Sequence, residues 1–249
     1  MSDLARFFLQ TGQLDSGRVR IYGDDAHHII RVLRLRVNDK IECVNQDGKV
    51  YQVRLAKLGS EVIGVVEGVL HSDPESPLVV TLYQGLAKGD KMDLVIQKAV
   101  ELGVAEIIPF TSRYTVVKLE DKRAKARHQR WQRIALEAAK QSGRTRVPEV
   151  SELHSFPEVV NSVQGRQNEG ELAVLAYEAE KTQGIKALQK QPARVSVIVG
   201  PEGGFAPEEV ESLKFAGAKT VTLGPRILRT ETAGLVLLSI IGYRWGDLG

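Results

Sequence analysis

Two glycine-containing turns near the end of the chain carry residues that could do chemistry. Residues 195–209 read Val-Ser-Val-Ile-Val-Gly-Pro-Glu-Gly-Gly-Phe-Ala-Pro-Glu-Glu, and residues 220–233 read Thr-Val-Thr-Leu-Gly-Pro-Arg-Ile-Leu-Arg-Thr-Glu-Thr-Ala. In both, a β-branched run empties into a Gly/Pro turn and a helical pattern follows. Gly200, Gly203 and Gly204 let the main chain approach a ligand closely and present its N–H groups. Gly224, Pro225, Ile227 and Leu228 offer a second wall with aliphatic side chains that could grip a flat ring. Such walls suit an adenine-bearing cofactor whose base is read by main-chain groups. Either loop alone reads as an ordinary strand-to-helix turn. Together, with Arg226, Arg229 and Glu231 between them, they point to one ligand site at the carboxyl ends of parallel strands.

Other site types are excluded or demoted by spacing. The phosphate loop G-x-x-x-x-G-K-[ST] is absent, and Gly200, Gly203 and Gly204 do not match the dinucleotide fingerprint. His27, His28, His71, His128 and His154 are scattered and lack metal-ligand spacing with Cys43 or carboxylates, which argues against a metal centre. Ser196, Ser212 and Ser239 have no nucleophile-elbow context. Cys43 lies in a strand-like run far from the turns and reads as a packing residue.

The elements that must position the turns follow from composition and rhythm. The chain has 249 residues, 43% hydrophobic and 26% charged, as expected of a globular protein with one large or two modest domains. A single cysteine excludes an intrachain disulfide framework and fits a reducing compartment. The apolar stretch 234–242 is too short to span a bilayer, and the N-terminus lacks a signal pattern, so the expectation is a cytosolic protein with no membrane association.

Residues 1–72 read as β-rich, with strand-like runs at 6–10, 18–23, 39–44, 49–55 and 61–70. Asp47-Gly48 between two of these predicts a hairpin. Residues 24–34 predict a short helix capped by Asp24 or Asp25, with Ile29, Ile30, Val32 and Leu33 toward the sheet. A small barrel results. Residues 71–77, with two prolines, form the linker. Beyond it, strands alternate with helices at 92–103, 121–141 and about 184–189, which predicts a mostly parallel α/β sheet. Residues 232–245 are apolar nearly all round, so this helix is either wholly internal or shared with a second subunit.

The net charge of +3 is too small to identify a polyanionic partner, but its distribution is informative. Residues 118–133 hold seven Lys/Arg against Glu120 and Asp121, either a solvated helix face or a phosphate-binding footprint. Lys88, Lys91, Lys98, Arg113, Arg144 and Arg146 sit at element ends in the larger domain, as Arg6, Arg31 and Arg34 do in the smaller. Together they fit an RNA-sized partner held through phosphates.

Residues 200–209 followed by 223–233 resemble the knotted SPOUT-class RNA methyltransferases, and more narrowly the RsmE family, which methylates N3 of one uridine in 16S ribosomal RNA. Residues 88–103 and 138–144 are similar to that family's middle motifs, and 6–8 and 28–34 to its N-terminal ones. Lys140 departs from an acidic residue and Asn38 from a glycine. The resemblance implies a PUA-like RNA-binding β-barrel over 1–72 and a SPOUT domain with a trefoil knot over 73–249. It also implies S-adenosylmethionine as cofactor, 16S ribosomal RNA or the small subunit as partner, and a homodimer packed partly through the last helix. Carried over by position, the cofactor residues are Leu175, Tyr177, Val199, Gly200, Pro201, Glu202, Gly203, Gly204, Leu223, Gly224, Ile227, Leu228, Thr232 and Ala233. RNA contacts are expected from Arg6, Arg31, Arg34, Lys88, Lys98, Arg113 and Arg144. Methyl transfer to N3 needs no enzyme thiol. Arg229 is the candidate for stabilising the uracil oxyanion and Glu202 or Glu231 for accepting the proton, the alternative being that Glu231 and Arg229 merely brace their loop. A different RNA position, such as ribose 2′-O, and a non-catalytic ribosome-assembly role are the remaining alternatives.

Overall fold

The computed structural model describes residues 4–70, 74–115, 121–188 and 191–249. The first part of the 71–77 linker with His71, the start of the basic run at 118–120 and Gln189 lie outside them. Contacts divide the described chain into two compact units, one within Met1–Glu75 joined by Ala139–Arg146, the other Ser76–Ala138 with Val147–Gly249.

The first unit is a curled six-stranded sheet in the order β1-β4-β5-β6-β3-β2. Its strands are β1 (Arg6–Phe8), β2 (Leu14–Asp15), β3 (Arg18–Tyr22), β4 (Lys40–Val44), β5 (Val50–Lys57) and β6 (Glu61–Leu70). β1 pairs with β4 in parallel, and the other neighbours are antiparallel. Alternation sets the faces: in β3, Val19 and Ile21 point into the core while Arg18, Arg20 and Tyr22 face solvent. The Asp47-Gly48 turn joins β4 to β5, with Gly48 at positive φ.

The helical stretch differs from its sequence reading. α1 (Asp24–His27) is only four residues long, begins from Gly23 with no side-chain cap, and passes straight into a π-helical turn, His28–Val32. The wider turn carries only Ile29 fully into the core, leaving Val32 and Leu33 exposed. Asn38 adopts φ 77°, a left-handed conformation that asparagine tolerates better than most residues, so the missing glycine is accommodated. Cys43 is fully buried among Phe7, Ile41 and Val53, and burial pushes its thiol up, as do Asp25 and Glu42, so it packs as an inert hydrophobe. Lys140 lies 2.9 Å from Asp25 and over the Phe7 ring.

The second unit is a six-stranded, wholly parallel sheet in the order β12-β10-β11-β7-β8-β9. Its strands are β7 (Val79–Gly85), β8 (Glu106–Phe110), β9 (Glu149–Val150), β10 (Leu172–Ala176), β11 (Arg194–Val199) and β12 (Lys219–Val221). β7, β8 and β11 are almost continuously buried, as a parallel sheet covered on both faces requires. The helices are α2 (Lys91–Glu101), α3 (Asp121–Gln141), α4 (Phe156–Asn168), α5 (Pro207–Phe215) and α6 (Thr230–Trp245). α4 and α5 cover one face through Val159, Val163, Val210 and Leu213, whereas α2 and α6 pack together over β7 and β11 on the other.

α2 ends at Glu101, with Leu102 as its C-cap and Gly103 in the left-handed conformation. α4 escaped the sequence reading. Its start is marked by Ser155 and Glu158, whose carboxylate accepts the Ser155 N–H at 2.7 Å, and this capping-box spacing was the available signal. The helix expected at 184–189 is a single 3-10 turn, Ile185–Ala187. α6 is buried along Gly234, Leu237, Leu238, Ile241 and Trp245, but Ile240 and Tyr243 are exposed.

Candidate functional site

Three loops leave the carboxyl ends of β10, β11 and β12 and enclose a cavity of ≈ 530 Å³. They are latched to one another. Tyr177 N–H donates to Val221 O, and Thr222 N–H donates to Gln183 O, tying the loop after β10 to the end of β12. Glu180 accepts the N–H groups of Thr182 and Gln183 and the hydroxyls of Thr182 and Thr220, and these hydrogen bonds hold its carboxyl down at about 2. At the start of α5, Glu209 accepts the Ala206 N–H through one oxygen and the Arg113 N–H through the other.

The turn after β11 is shaped by close main-chain approach. A side chain at Gly85 would run into the Gly200–Pro201 peptide at 2.3 Å, so the end of β7 must be glycine for this turn to pass. Gly204 has φ 69°, and a Cβ there would lie 2.8 Å from Glu178 Oε1. Underneath, the Thr230 hydroxyl donates to Gly200 O at 2.6 Å and accepts from Gln84 Nε2 at 2.9 Å, which clamps the first turn of α6 against the glycine turn. Gln84 is fully buried and its Oε1 has no hydrogen-bond partner among the described residues.

At the mouth, Lys91 stands between two carboxylates. Its Nζ is 3.2 Å from Glu202 Oε1 and 3.3 Å from Glu231 Oε2, the second an ion pair rather than an aligned hydrogen bond. Glu202 also accepts the Lys88 N–H at 3.0 Å. Partial burial pushes the Glu202 carboxyl up, but the Lys88 N–H and the Lys91 ammonium outweigh it, holding the group below its ordinary range. The Lys91 ammonium is raised, chiefly by its hydrogen bond to Glu202. Arg229 lines the cavity at the N-cap of α6, and its side chain has no hydrogen-bond or ion-pair partner among the described residues. The Arg229–Glu231 brace is therefore absent, Lys91 having taken Glu231.

Of the residues expected at the cofactor, Tyr177, Val199, Gly200, Pro201, Glu202, Gly203, Gly204, Leu223, Gly224, Ile227, Leu228 and Ala233 line the cavity. Leu175 does not: it lies inside β10 and is fully buried in the core, and the wall begins at the end of the strand with Ala176 and continues through Glu178. Thr232 points to solvent, and Thr230 lines the site in its stead. Gln84 and Thr230 were missed, although a glutamine within an otherwise buried apolar strand is itself a signal.

The expected RNA-contacting cations separate into two groups. Arg6 is ion-paired to Glu42 at 2.6 Å and donates to the carbonyls of Gly143 and Arg144. Arg144 is ion-paired to Glu75 at 2.5 Å. Both guanidinium groups are interior to the first unit, so the structure assigns them to its stability instead of to an RNA surface. Lys98 pairs with Glu101 and Arg113 with Glu208 at the surface, while Arg31, Arg34 and Lys88 are exposed. Among the described residues there is no group of His, Cys, Asp and Glu suited to a metal ion, and no helix is long and apolar enough to cross a membrane.

Comparison with known proteins agrees with this geometry. A family model described as an RNA methyltransferase domain matches residues 74–242, and one described as an RNA methyltransferase PUA domain matches 21–66. The ribosomal RNA small subunit methyltransferase E of Bacillus subtilis is 40% identical over 234 residues, covering 90% of this chain and 89% of its own. The crystal structure of the Neisseria gonorrhoeae ribosomal RNA small subunit methyltransferase E bound to S-adenosyl methionine is 33% identical, with TM-score 0.89, covering 99% of this chain and 100% of that one. A putative methyltransferase from Legionella pneumophila, in complex with the bound cofactor SAM, is 30% identical with TM-score 0.89 over the same shares.

Proposed function

Because the chain belongs to the ribosomal RNA small subunit methyltransferase E family, we propose that it methylates N3 of a uridine in 16S ribosomal RNA with S-adenosylmethionine as donor. The observation that carries this reading is the cavity at the carboxyl ends of β10, β11 and β12. Its size suits a ligand of this class. Its main-chain turns suit an adenine edge, the aliphatic Ile227 and Leu228 suit a flat ring, and Glu178 and Glu202 suit a cationic group.

The cofactor supplies an electrophilic methyl on a sulfonium. The reaction is an in-line displacement in which the carbon–sulfur bond breaks, a carbon–nitrogen bond forms at N3, and the N3 proton leaves. The protein's tasks are to orient the base, exclude water and stabilise charge on the uracil oxygens. The unpartnered Arg229 guanidinium suits the last task. Glu202, held ionised by Lys88 and Lys91, is a weak base that serves mainly to anchor Lys91, and Glu231 shares that lysine without lining the cavity, so of the two only Glu202 stands at the wall where a proton could be accepted.

The proposal extends to the rest of the chain. Residues 1–72 form the PUA-like RNA-binding domain and 73–249 the SPOUT domain. The return from β12, beyond β10, to α6 packed over β11 is the crossing that a trefoil knot would need. The exposed Leu94, Ile240 and Tyr243 favour a homodimer packed through α6. No metal is required, and the compartment is the cytoplasm, where the ribosomal substrate is.

The test is transfer of labelled methyl to small ribosomal subunits lacking the modification, followed by nucleoside mass spectrometry. N3-methyluridine is expected; label on ribose would move the assignment to 2′-O. Arg229→Ala is expected to abolish turnover while calorimetric cofactor affinity stays intact, and a variant that keeps full turnover removes Arg229 from the reaction.

A further inference from the structure

A second cavity, of ≈ 450 Å³, lies in the first unit. It opens between the short helical segment and the turn joining β5 to β6, and His27, Ile30, Arg31, Leu58, Gly59 and Ser60 are among its lining residues. We propose that it is a subsite for one unstacked nucleotide of the RNA substrate, holding the phosphate on Arg31 and His27 and the base between Ile30 and Leu58. The assignment rests on the RNA-methyltransferase reading and adds to it a place in the first unit where the substrate is gripped.

The backbone creates the site. His27 and Arg31 are four residues apart and share a face, and the π-helical turn that begins at His28 sets Ile29 into the core while Ile30 remains at the cavity edge. Neither the His27 nor the Arg31 side chain has a hydrogen-bond or ion-pair partner among the described residues, and neither does the Ser60 hydroxyl. No carboxylate lines the cavity. Asp25, on the same helical segment, is matched by Lys140 at 2.9 Å, so it does not cancel the cationic rim. A cationic edge, a hydroxyl and two half-buried aliphatic side chains match a nucleotide with its phosphate outward and its base inward. Single-stranded RNA is usually read through such splayed bases. The cavity also falls wholly within the stretch matched by the RNA methyltransferase PUA family model, residues 21–66.

Two substitutions separate the subsite from a general cationic surface. Gly59→Trp fills the cavity without altering charge, since a Cβ at Gly59 meets nothing nearer than 3.7 Å. Arg31→Ala removes the cation and leaves the cavity. Binding is read by fluorescence anisotropy with a labelled single-stranded 16S ribosomal RNA fragment containing the target uridine. Each variant is expected to weaken RNA binding about tenfold, and the double variant little more than either single one, because both disable one contact. Cofactor affinity by calorimetry should stay at the wild-type value. Wild-type RNA affinity in Gly59→Trp, or losses in the two single variants that simply multiply in the double variant, would make Arg31 an ordinary surface phosphate contact and overturn the subsite. Should Gly59→Trp lower the melting midpoint, Ser60→Phe replaces it under the same criterion. A wild-type protein that binds RNA but transfers no methyl removes the parent reading and leaves the subsite standing. Normal methylation with unaltered RNA binding in the filled variants removes only the subsite.

Discussion

In the first unit Arg6 and Arg144 are almost shielded from water and each is matched to a glutamate, with side-chain exposures of 11% and 7%. At the cavity mouth of the second unit, Lys91 is 33% exposed and shared between Glu202 and Glu231. Sequence offers no way to separate these cations, since all of them sit at ends of elements. Burial separates them. A desolvated ion must keep its partner, because losing it strands a charge in low dielectric. A half-solvated ion can exchange its partner for water or ligand at little cost. The buried pairs are therefore parts of the scaffold, whereas Lys91, which lines the cavity with Glu202, is the more solvated ion and reaches back to Glu231, whose side chain is only 14% exposed.

The sharpest way to break this contrast is Arg6→Ala. Glu42 would be left nearly buried and unpaired, and two carbonyls would lose a donor, so a loss of about 3 kcal/mol is expected in the first unit's unfolding transition. Differential scanning calorimetry reads it. The salt dependence of RNA binding should not change, whereas Arg34→Ala should leave stability intact and lower the salt slope by about 0.7. The opposite pairing of results would mean that Arg6 reaches RNA after all.

Next in size is Thr230→Val. It removes the hydroxyl that donates to Gly200 O and leaves Gln84 Nε2 with one acceptor fewer in a fully buried position. A loss of about 1–3 kcal/mol is expected, with weaker cofactor binding because the glycine turn is no longer clamped. Thr230→Ser, which keeps the hydroxyl, should restore cofactor affinity. Failure of that rescue would show that the methyl group matters and the hydrogen bond does not.

These residues also mark where the sequence was legible. The alternation of strands and helices, the Asp47-Gly48 hairpin and the two glycine turns follow from local patterns, and local patterns survive into the fold. α4 went unread because Pro157, Asn161 and Gly165 dilute its apolar stripe, although Ser155 and Glu158 announce its start. Leu175 and Thr232 were carried over as members of loops. The first lies inside β10 and is buried in the core, and helix phase sends the second to solvent. Pairing was the least legible. Nothing in the order of residues couples Lys91 to Glu231, or Arg144 to Glu75, across tens of positions.

A smaller effect is expected from Lys91→Met. With the lysine a third exposed, its ion pairs are screened by solvent and contribute little to stability. Their pH window is the more telling measurement. The Glu202 carboxyl is lowered from 4.5, so its contribution is present above about pH 4.5 and is lost as pH falls through the folded value. The Lys91 ammonium is raised from 10.5, so its contribution is present below about pH 10.5 and is lost as pH rises through the folded value. Cofactor affinity should therefore be flat between pH 6 and 9 so far as this triad governs it. By the same logic Glu202→Gln should leave the shape of the pH–rate profile unchanged, and disappearance of an acid limb near neutrality in that variant would make Glu202 the proton acceptor.

The smallest effect on stability should come from Ile227→Ala, and for that reason it isolates the cavity wall from the scaffold. Ile227 is 89% exposed, so its truncation removes almost no buried surface and stability should stay within about 0.5 kcal/mol of wild type. Yet Ile227 lines the cavity, and an aliphatic side chain that gains a partner only on ligand binding contributes to affinity alone. Deleting three of its side-chain carbons should weaken cofactor binding about fivefold, in line with partial burial of that apolar area in the complex. Calorimetric titration with S-adenosylmethionine, beside a thermal melt of the free protein, gives both numbers from one preparation. Unchanged affinity would mean that the 222–229 loop does not close on the ligand and that the main-chain turn at 199–204 forms the cofactor site without it.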